Sequence, residues 1–587
     1  MSDQKNMIIA IALSLVILLG FQFLYEFPKM EEEKARQEQL AASQPPPSLN
    51  ADGTAPSPGS DTPSVAVPGG AVSAPAVAPA IVTAAQRAEA IKATPRITVD
   101  TPTVSGSISL KGGRIDDIVL KNYREEVDPT SDQIHLLSPI GAPKSYYAEF
   151  GWVGADSKVK LPGADTVWTA DRGALTPEKP VTLTWDNGEG LVFERVFALD
   201  DGYMVTTTQR VRNTGSEGVT LFPYGLISRA GTPQTLGFYI LHEGPLGVFD
   251  GTLREIDYDD LQEDGNVEQR SVGGWIGITD KYWLAALIPD QKQAMTYRFV
   301  HSIRDQDDRY QVDYLGGEAR IEPGATHEAT NRLFVGAKEV KRLDAYSEEL
   351  GIANFDLAVD FGWFYFLTKP FFYAISWLYL YLGNFGLAIL AFTVFVKLLF
   401  YPLANKSYKS MAKLRELTPK LQVLREQYGD DKVRLNQEMM ALYKTEKVNP
   451  AAGCLPILVQ IPVFFALYKV LFVNIEMRHA PFYGWIKDLS VADPTSIFNA
   501  FGLIPWTPPE FMLIGAWPVF MGLTMWLQQR LNPQPTDPVQ AKIFMFLPLF
   551  FTFLLGTFPA GLVIYWTWNN LLSIAQQKMI MYRMGVK

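Results

Sequence analysis

Hydrophobic positions follow two regimes along this chain: unbroken apolar runs at its start and in its last third, and short alternating runs between them. The unbroken runs lie at 7–25, 384–403, 453–473, 511–527, 542–555 and 558–574. A helix rising 1.5 Å per residue needs about 20 such residues to cross hydrocarbon about 30 Å thick, so the pattern predicts six spans. Between 96 and 338, β-rich runs are punctuated by turn residues. Ile108 to Leu110 precedes Lys111-Gly112-Gly113, and 191–199 and 203–211 flank Asp200-Asp201-Gly202. That spacing predicts a mostly β domain over 96–345, a large sandwich. A short helix is expected at 341–351. At 355–372, Phe and Trp surround Asp356, Asp360 and Lys369, which reads as an amphipathic helix lying on a membrane surface. Trp363, Tyr365, Trp377, Tyr379 and Tyr381 supply rings that prefer headgroup depth.

The first run is preceded by Lys5, followed by Pro28 and Lys29, and lacks a small-x-small cleavage pattern, so it reads as an uncleaved signal anchor. Residues 26–95, most strongly 44–79, are rich in Pro and Ala and form a flexible tether. Five spans then make a core over 384–587. Charge fixes the orientation. The net charge is −10, yet 405–449 carries ten Lys or Arg against six acids, which places it in the cytoplasm. Both termini and the 528–540 loop then face the cytoplasm, and the β domain faces the periplasm of a bacterial inner membrane protein. The single Cys454 excludes an intramolecular disulfide, and the five His residues have no ligand spacing. No Walker A loop or nucleophile elbow is present, so neither a cofactor, a metal nor an enzymatic activity is expected.

Lys397 stands inside the second run, where an ammonium needs a wet or paired site. Thr393, one turn earlier, extends it into a polar stripe. The competing reading is a snorkelling anchor, because Pro402 lies only about 8 Å further along a helix. Gln460 sits between Pro456 and Pro462 in the third span. Tyr565, Trp566, Asn569 and Asn570 in the last span, with Thr524 and Gln528 in the fourth, place polar tips at helical spacing. Singly such groups are interhelical glue; together with Lys397 they are expected to line a hydrophilic pocket in the cytoplasmic half. A transporter or channel using Lys397 as an ion site would predict inverted repeats, which the sequence lacks. A Ser/Lys protease would need a serine facing Lys397, whereas Ser407 and Ser410 lie beyond the span.

In the basic segment, Leu414, Leu417, Leu421, Leu424 and Tyr428 recur at threes and fours, as do Leu435, Met439 and Leu442 after Gly429-Asp430-Asp431. This predicts an antiparallel helical hairpin whose first arm is about 36 Å long and kinked at Pro419. Lys409, Lys413, Arg415, Lys420 and Arg425 would point outward, toward acidic lipid or a ribonucleoprotein surface, with no nucleic-acid sequence read.

From Phe355 to the end the chain resembles the YidC/Oxa/Alb family of membrane protein insertases, in its Gram-negative bacterial form. The resemblance rests on Phe392-Thr-Val-Phe-Val-Lys-Leu-Leu-Phe-Tyr-Pro-Leu403, Gln437-Glu-Met-Met-Ala-Leu-Tyr-Lys-Thr-Glu-Lys-Val-Asn-Pro450, Gly453-Cys-Leu-Pro456, Gln460-Ile-Pro462 and Phe558-Pro-Ala-Gly-Leu-Val563. It implies a β supersandwich similar to sugar-binding folds, and an insertase and chaperone with a hydrophilic groove open to cytoplasm and lipid. Lys397 would be the groove cation. Thr393, Phe464, Met525 and Trp566 would contact substrate, with Gln460 and Tyr565 close by. Nascent membrane proteins, the Sec translocon, membrane lipid, and the ribosome or signal recognition particle pathway acting through the cytoplasmic loops are the implied partners. Many relatives carry Arg at the Lys397 position and some carry Tyr at Trp566; with a short tail, the tail-based ribosome contact of some relatives is not expected.

Overall fold

The computed structural model describes residues 84–235, 241–304, 307–362, 364–429, 431–446, 448, 455–506, 508–509, 513–531 and 538–583. The expected signal anchor, most of the tether, Trp363 and Cys454 lie outside the described residues. Helix α1 (Ala84–Lys92) leads into two β-sheets of eleven and nine strands that face each other across one apolar core. Nearly all neighbours are antiparallel; the edge pair Arg96–Asp100 and Ala174–Leu175 is parallel. A short helix, α2 (Tyr258–Asp264), interrupts the second half.

The strand Leu191–Leu199 alternates strictly between buried and half-buried positions. It pairs with Met204–Asn213 from Leu199↔Val205 to Leu191↔Asn213. The intervening turn is held by the Asp200 carboxylate, which accepts from the Gly202 and Met204 amides at 2.9 and 3.0 Å. One inward position carries a charge. Arg195 is buried, donates to the Gly112 and Gly113 carbonyls at 3.2 and 2.8 Å and to that of Phe150, and lies 4.6 Å over the Trp168 ring. Desolvation lowers its pKa, and the carbonyls replace the water it has lost. Gly113 has φ of 63°, and a Cβ there would come within 2.5 Å of the Arg195 guanidinium, so this turn requires glycine on both counts.

After the last long strand, Thr326–Ala337, come α3 (Val340–Glu349), a 3-10 turn at Phe355–Ala358, and α4 (Tyr365–Leu382). The stretch expected to lie on a membrane surface at 355–372 is therefore divided. Phe355 is fully buried edge-on to Trp275 and Phe334, each at 5.4 Å, and belongs to the sandwich core. Only the second half is helical. The sandwich is fastened to the helices by charged groups. Lys369 on α4 donates to Asp344 and Asp356, both at 2.7 Å, and to the Tyr365 hydroxyl at 2.9 Å.

Helix α5 (Phe385–Leu399) is capped by Asn384, whose side chain accepts from the Leu387 amide. It bends by 67° at Phe400 into α6 (Tyr401–Glu416). The basic segment 410–452, a compact unit of its own, contains α7 (Thr418–Tyr428) and α8 (Lys432–Thr445). Instead of one kinked arm, the chain breaks at Leu417 and restarts with Pro419 in the first turn of α7, where its missing N–H costs nothing. Asp431 caps α8, and Lys420 meets Glu446 at 2.6 Å, which ties the start of α7 to the end of α8 and makes the pair antiparallel. Lys409, Lys413 and Lys420 are exposed and Arg425 is half-buried; the Arg415 side chain lies outside the described residues.

Helices α9 (Leu455–Val473), α10 (Ala516–Leu531), α11 (Pro538–Leu554) and α12 (Ala560–Arg583) complete the bundle, with α12 packed on α10, α5 and α9. Gly522 lets α10 approach α11: a Cβ there would fall 2.0 Å from the Thr552 hydroxyl. Lys469 on α9 meets Asp360 at 2.6 Å, and Asp360 also accepts from the His242 amide of the sandwich at 3.3 Å. Lys281 of the sandwich lies 4.1 Å over the Phe472 ring, and Arg478 donates to the Glu125 carbonyl at 3.0 Å while covering Trp283. Among the described residues no single helix is long and apolar enough to cross a membrane alone, but α5 and α6 together pass that test.

Phe355→Ala should lower the stability of the sandwich by about 3–5 kcal/mol, read as a shift in denaturant midpoint. Asp356 gives a pH test. Burial would raise its pKa, but the bonds from Lys369 and Tyr365 outweigh that and hold it below the ordinary value. A lowered folded pKa stabilises above the unfolded value and is lost as pH falls through it. Proteolysis between Gly351 and Tyr365 should therefore increase below about pH 4 in the native chain. Lys369→Met should show that cleavage already at neutral pH, with less dependence on acid.

Candidate functional site

The helical part is apolar outside and polar within. Phe395, Leu398, Phe465, Leu523, Phe546 and Phe550 are exposed, whereas Thr393, Thr524, Asn570, Ser573 and Gln577 are buried. Water reverses that order for a soluble bundle, so the exposed face suits hydrocarbon.

The buried polar groups converge on α12. Lys397, half-buried in the last turn of α5, donates to the Ser573 hydroxyl at 2.7 Å. Ser573 in turn donates to the Asn569 carbonyl at 2.8 Å. Three residues earlier, Asn570 donates to the Thr524 hydroxyl of α10 at 3.2 Å, and Thr524 donates to the Met521 carbonyl. The Trp568 indole donates to the Leu390 carbonyl of α5 at 3.2 Å. Gln577 donates to the Leu531 carbonyl of α10 at 3.0 Å. Residues 570, 573 and 577 recur at threes and fours, so one edge of α12 presents successive polar tips to its neighbours. Opposite helices are joined aromatically: Phe464 on α9 stacks on Trp566 with centroids 4.7 Å apart and planes 16° from parallel.

Thr393 is buried on the same helix as Lys397, but its hydroxyl is turned back to the Ile389 carbonyl at 2.7 Å, serving its own helix. Gln460, one turn before Phe464, and Met525, next to Thr524, are half-buried; Tyr565 is buried. Among the described residues Gln460 and Tyr565 make no hydrogen bond or ring contact with Lys397, Phe464 or Trp566. Ser573 is the partner that sequence reading passed over. Its signal lies in the sequence, since it falls three and four residues after Asn570 and Asn569, but it stands 176 residues from Lys397. Among the described residues no carboxylate lies within ion-pair distance of Lys397, and no group of His, Cys, Asp or Glu could hold a metal.

A β sandwich joined to a helical bundle that is apolar outside and cationic within defines a membrane protein of two parts, and two family models match the chain, one on each part. The family described as the YidC periplasmic domain matches residues 96–374, and that described as the 60Kd inner membrane protein matches residues 377–587. A relative from Methylobacterium sp. (strain 4-46), named membrane protein insertase YidC, is 52% identical over all of this chain and 96% of its own length. One of the same name from Bradyrhizobium diazoefficiens is 50% identical over all of this chain and 97% of its length. A crystal structure of an active YidC insertase with its first transmembrane domain resolved matches at 18% identity and TM-score 0.34, covering 82% of this chain and 92% of that one. The chain belongs to the YidC family of membrane protein insertases, with a periplasmic β-sandwich domain followed by the helical region of inner membrane insertases.

Removing the Thr524 hydroxyl should strand the buried Asn570 amide. Thr524→Val should cost about 1–3 kcal/mol in detergent unfolding, whereas the Thr524→Val, Asn570→Leu pair should recover part of that loss.

Proposed function

We propose that this chain inserts and folds nascent membrane proteins in the inner membrane, alone or with the Sec translocon, through a groove lined by Lys397, Thr393, Gln460, Phe464, Met525, Tyr565 and Trp566. The observation that carries this reading is Lys397, held from within an apolar-faced bundle by one neutral hydroxyl. An ammonium has three donors. Ser573 takes one, which leaves two for water or for an acidic group on an entering segment. A polar segment crossing about 30 Å of hydrocarbon meets its largest cost where no partner is offered; a cationic wet pocket partway across shortens that path. Burial of the following apolar span, at about 25 cal/mol per Å², then draws the substrate home. The Phe464 and Trp566 stack gives this groove an apolar wall for the emerging span.

The same reading places six spans in the membrane, counting 7–25, with both termini cytoplasmic and the sandwich periplasmic. The 405–449 hairpin would dock the ribosome, the signal recognition particle pathway or acidic lipid through Lys409, Lys413, Arg415, Lys420 and Arg425. A Ser/Lys hydrolase is the second reading that the Lys397–Ser573 pair raises. Its polarity opposes that chemistry: Ser573 gives its proton to the Asn569 carbonyl and receives one from Lys397, whereas a nucleophile must give its proton to the lysine. The relatives are named insertases, not hydrolases.

The test is protease-protected insertion of a short two-span protein into liposomes containing only this chain. Lys397→Leu should reduce insertion at least about tenfold, the equivalent of one charged hydrogen bond of about 1.5 kcal/mol, and Lys397→Arg should retain most of it. Equal insertion by Lys397→Leu would make Lys397 an anchor, and ion flux without insertion would favour a channel. Replacing Lys409, Lys413 and Lys420 together with Glu should weaken the capture of added anionic vesicles by the chain held in neutral nanodiscs, and raising salt should erase the difference between the two proteins.

A further inference from the structure

Between α9 and α10, on the side that bears the sandwich, the chain forms a closed loop with an apolar tip. Its neck is shut by the Ile497 amide donating to the Ile514 carbonyl at 3.0 Å. Below the neck, buried Asp493 gathers four donors: the Trp485 indole at 3.0 Å, the Thr495 amide at 3.0 Å and hydroxyl at 2.7 Å, and the Trp517 amide at 2.9 Å in the first turn of α10. Thr495 in turn accepts from the Ala516 amide at 3.0 Å. A Cβ on Gly515 would fall within 2.4 Å of the Asp493 side chain, so the loop is bolted directly onto the end of a membrane helix.

The tip is held by its own backbone. The Phe501 amide donates to the Ser496 carbonyl at 2.7 Å, and the Ile504 amide to the Asn499 carbonyl at 3.0 Å. Ala500 and Phe501 hold φ of 50° and 59°, a left-handed turn made without glycine. The backbone thus satisfies itself while the side chains face out: Phe498, Phe501, Leu503, Ile504 and Trp506 are exposed, Leu503 to 87%. No ionisable residue occurs between Asp493 and Glu510.

We infer that this tip is seated in the headgroup and upper acyl region of the periplasmic leaflet, as a second membrane contact beside the spans. The occupant is lipid because the loop is tied through Asp493 and Thr495 to the first turn of α10, its tip from Phe498 to Trp506 carries no charge with which to select a protein partner, and Trp506 has an amphipathic ring that suits the interface. The seat would fix the depth of α10, and with it the height of Thr524 and Met525 in the bundle. This inference rests on the membrane reading above.

The test uses the full chain with Cys454→Ser, carrying Leu503→Cys or, as a control on an exposed sandwich turn, Ser157→Cys, each labelled with a polarity-sensitive fluorophore and reconstituted in phosphatidylethanolamine and phosphatidylglycerol vesicles. Flotation with the vesicles tests the membrane reading separately. In floated protein the label at 503 should emit to the blue of that at 157, be quenched by shallow nitroxide lipid and escape aqueous iodide. A label at 503 quenched by iodide as fully as the control would overturn the inference. So would protection from both quenchers, which would mean that a second copy of the chain covers the tip.

Discussion

Everything in the helical half depends on how an ammonium is kept in a bundle whose outer surface is apolar. Lys397 is held by a serine that is itself held by its own helix, so the charge is placed without being neutralised. A carboxylate partner would have made the site cheaper to form and less able to attract anything else. Asn570 and Gln577, buried on the same edge of α12, each have a partner on α10, and these contacts fix the edge on which Ser573 stands. The aromatic stack to α9 sets the opposite wall. A position on α12 is therefore shared by three helices, and the polar contacts between helices join residues 46 to 178 positions apart in sequence.

The sequence carried much of this in readable form. The Leu191–Asn213 hairpin was legible because alternation and an Asp-Asp-Gly turn point to the same register. The residues to which the YidC/Oxa/Alb resemblance points fall on α5, α9, α10 and α12, and two of them, Phe464 and Trp566, meet face to face. Less legible were the features where one residue type serves two environments. Phe355 reads equally as an interfacial ring and as a core ring, and periodicity cannot choose between them. Arg195 follows the inward phase of its strand, but only the folded turn at Gly112 and Gly113 supplies the carbonyls that allow it to stay. The break at Leu417 was hidden because an apolar stripe continues across it while the backbone does not.

Ser573 teaches a different lesson. A lone serine in a membrane helix most often back-bonds to its own carbonyl, and this one does so. Its second role arises from tertiary placement, 176 residues from its cation. Spacing within α12 marks the edge on which it stands, but the identity of the facing helix comes only from the packing of α5 on α12.

The junction between sandwich and bundle has a mechanical meaning. Asp360 takes the His242 amide of the sandwich and the Lys469 ammonium of α9 on one carboxylate, while Lys281 and Arg478 grip Phe472 and the Glu125 carbonyl a short distance away. Contacts at several separated points resist rotation as well as translation. The sandwich is consequently a stiff handle on α9: a torque applied to it is delivered to the helix that carries Phe464 and, through the aromatic stack, to Trp566 on α12.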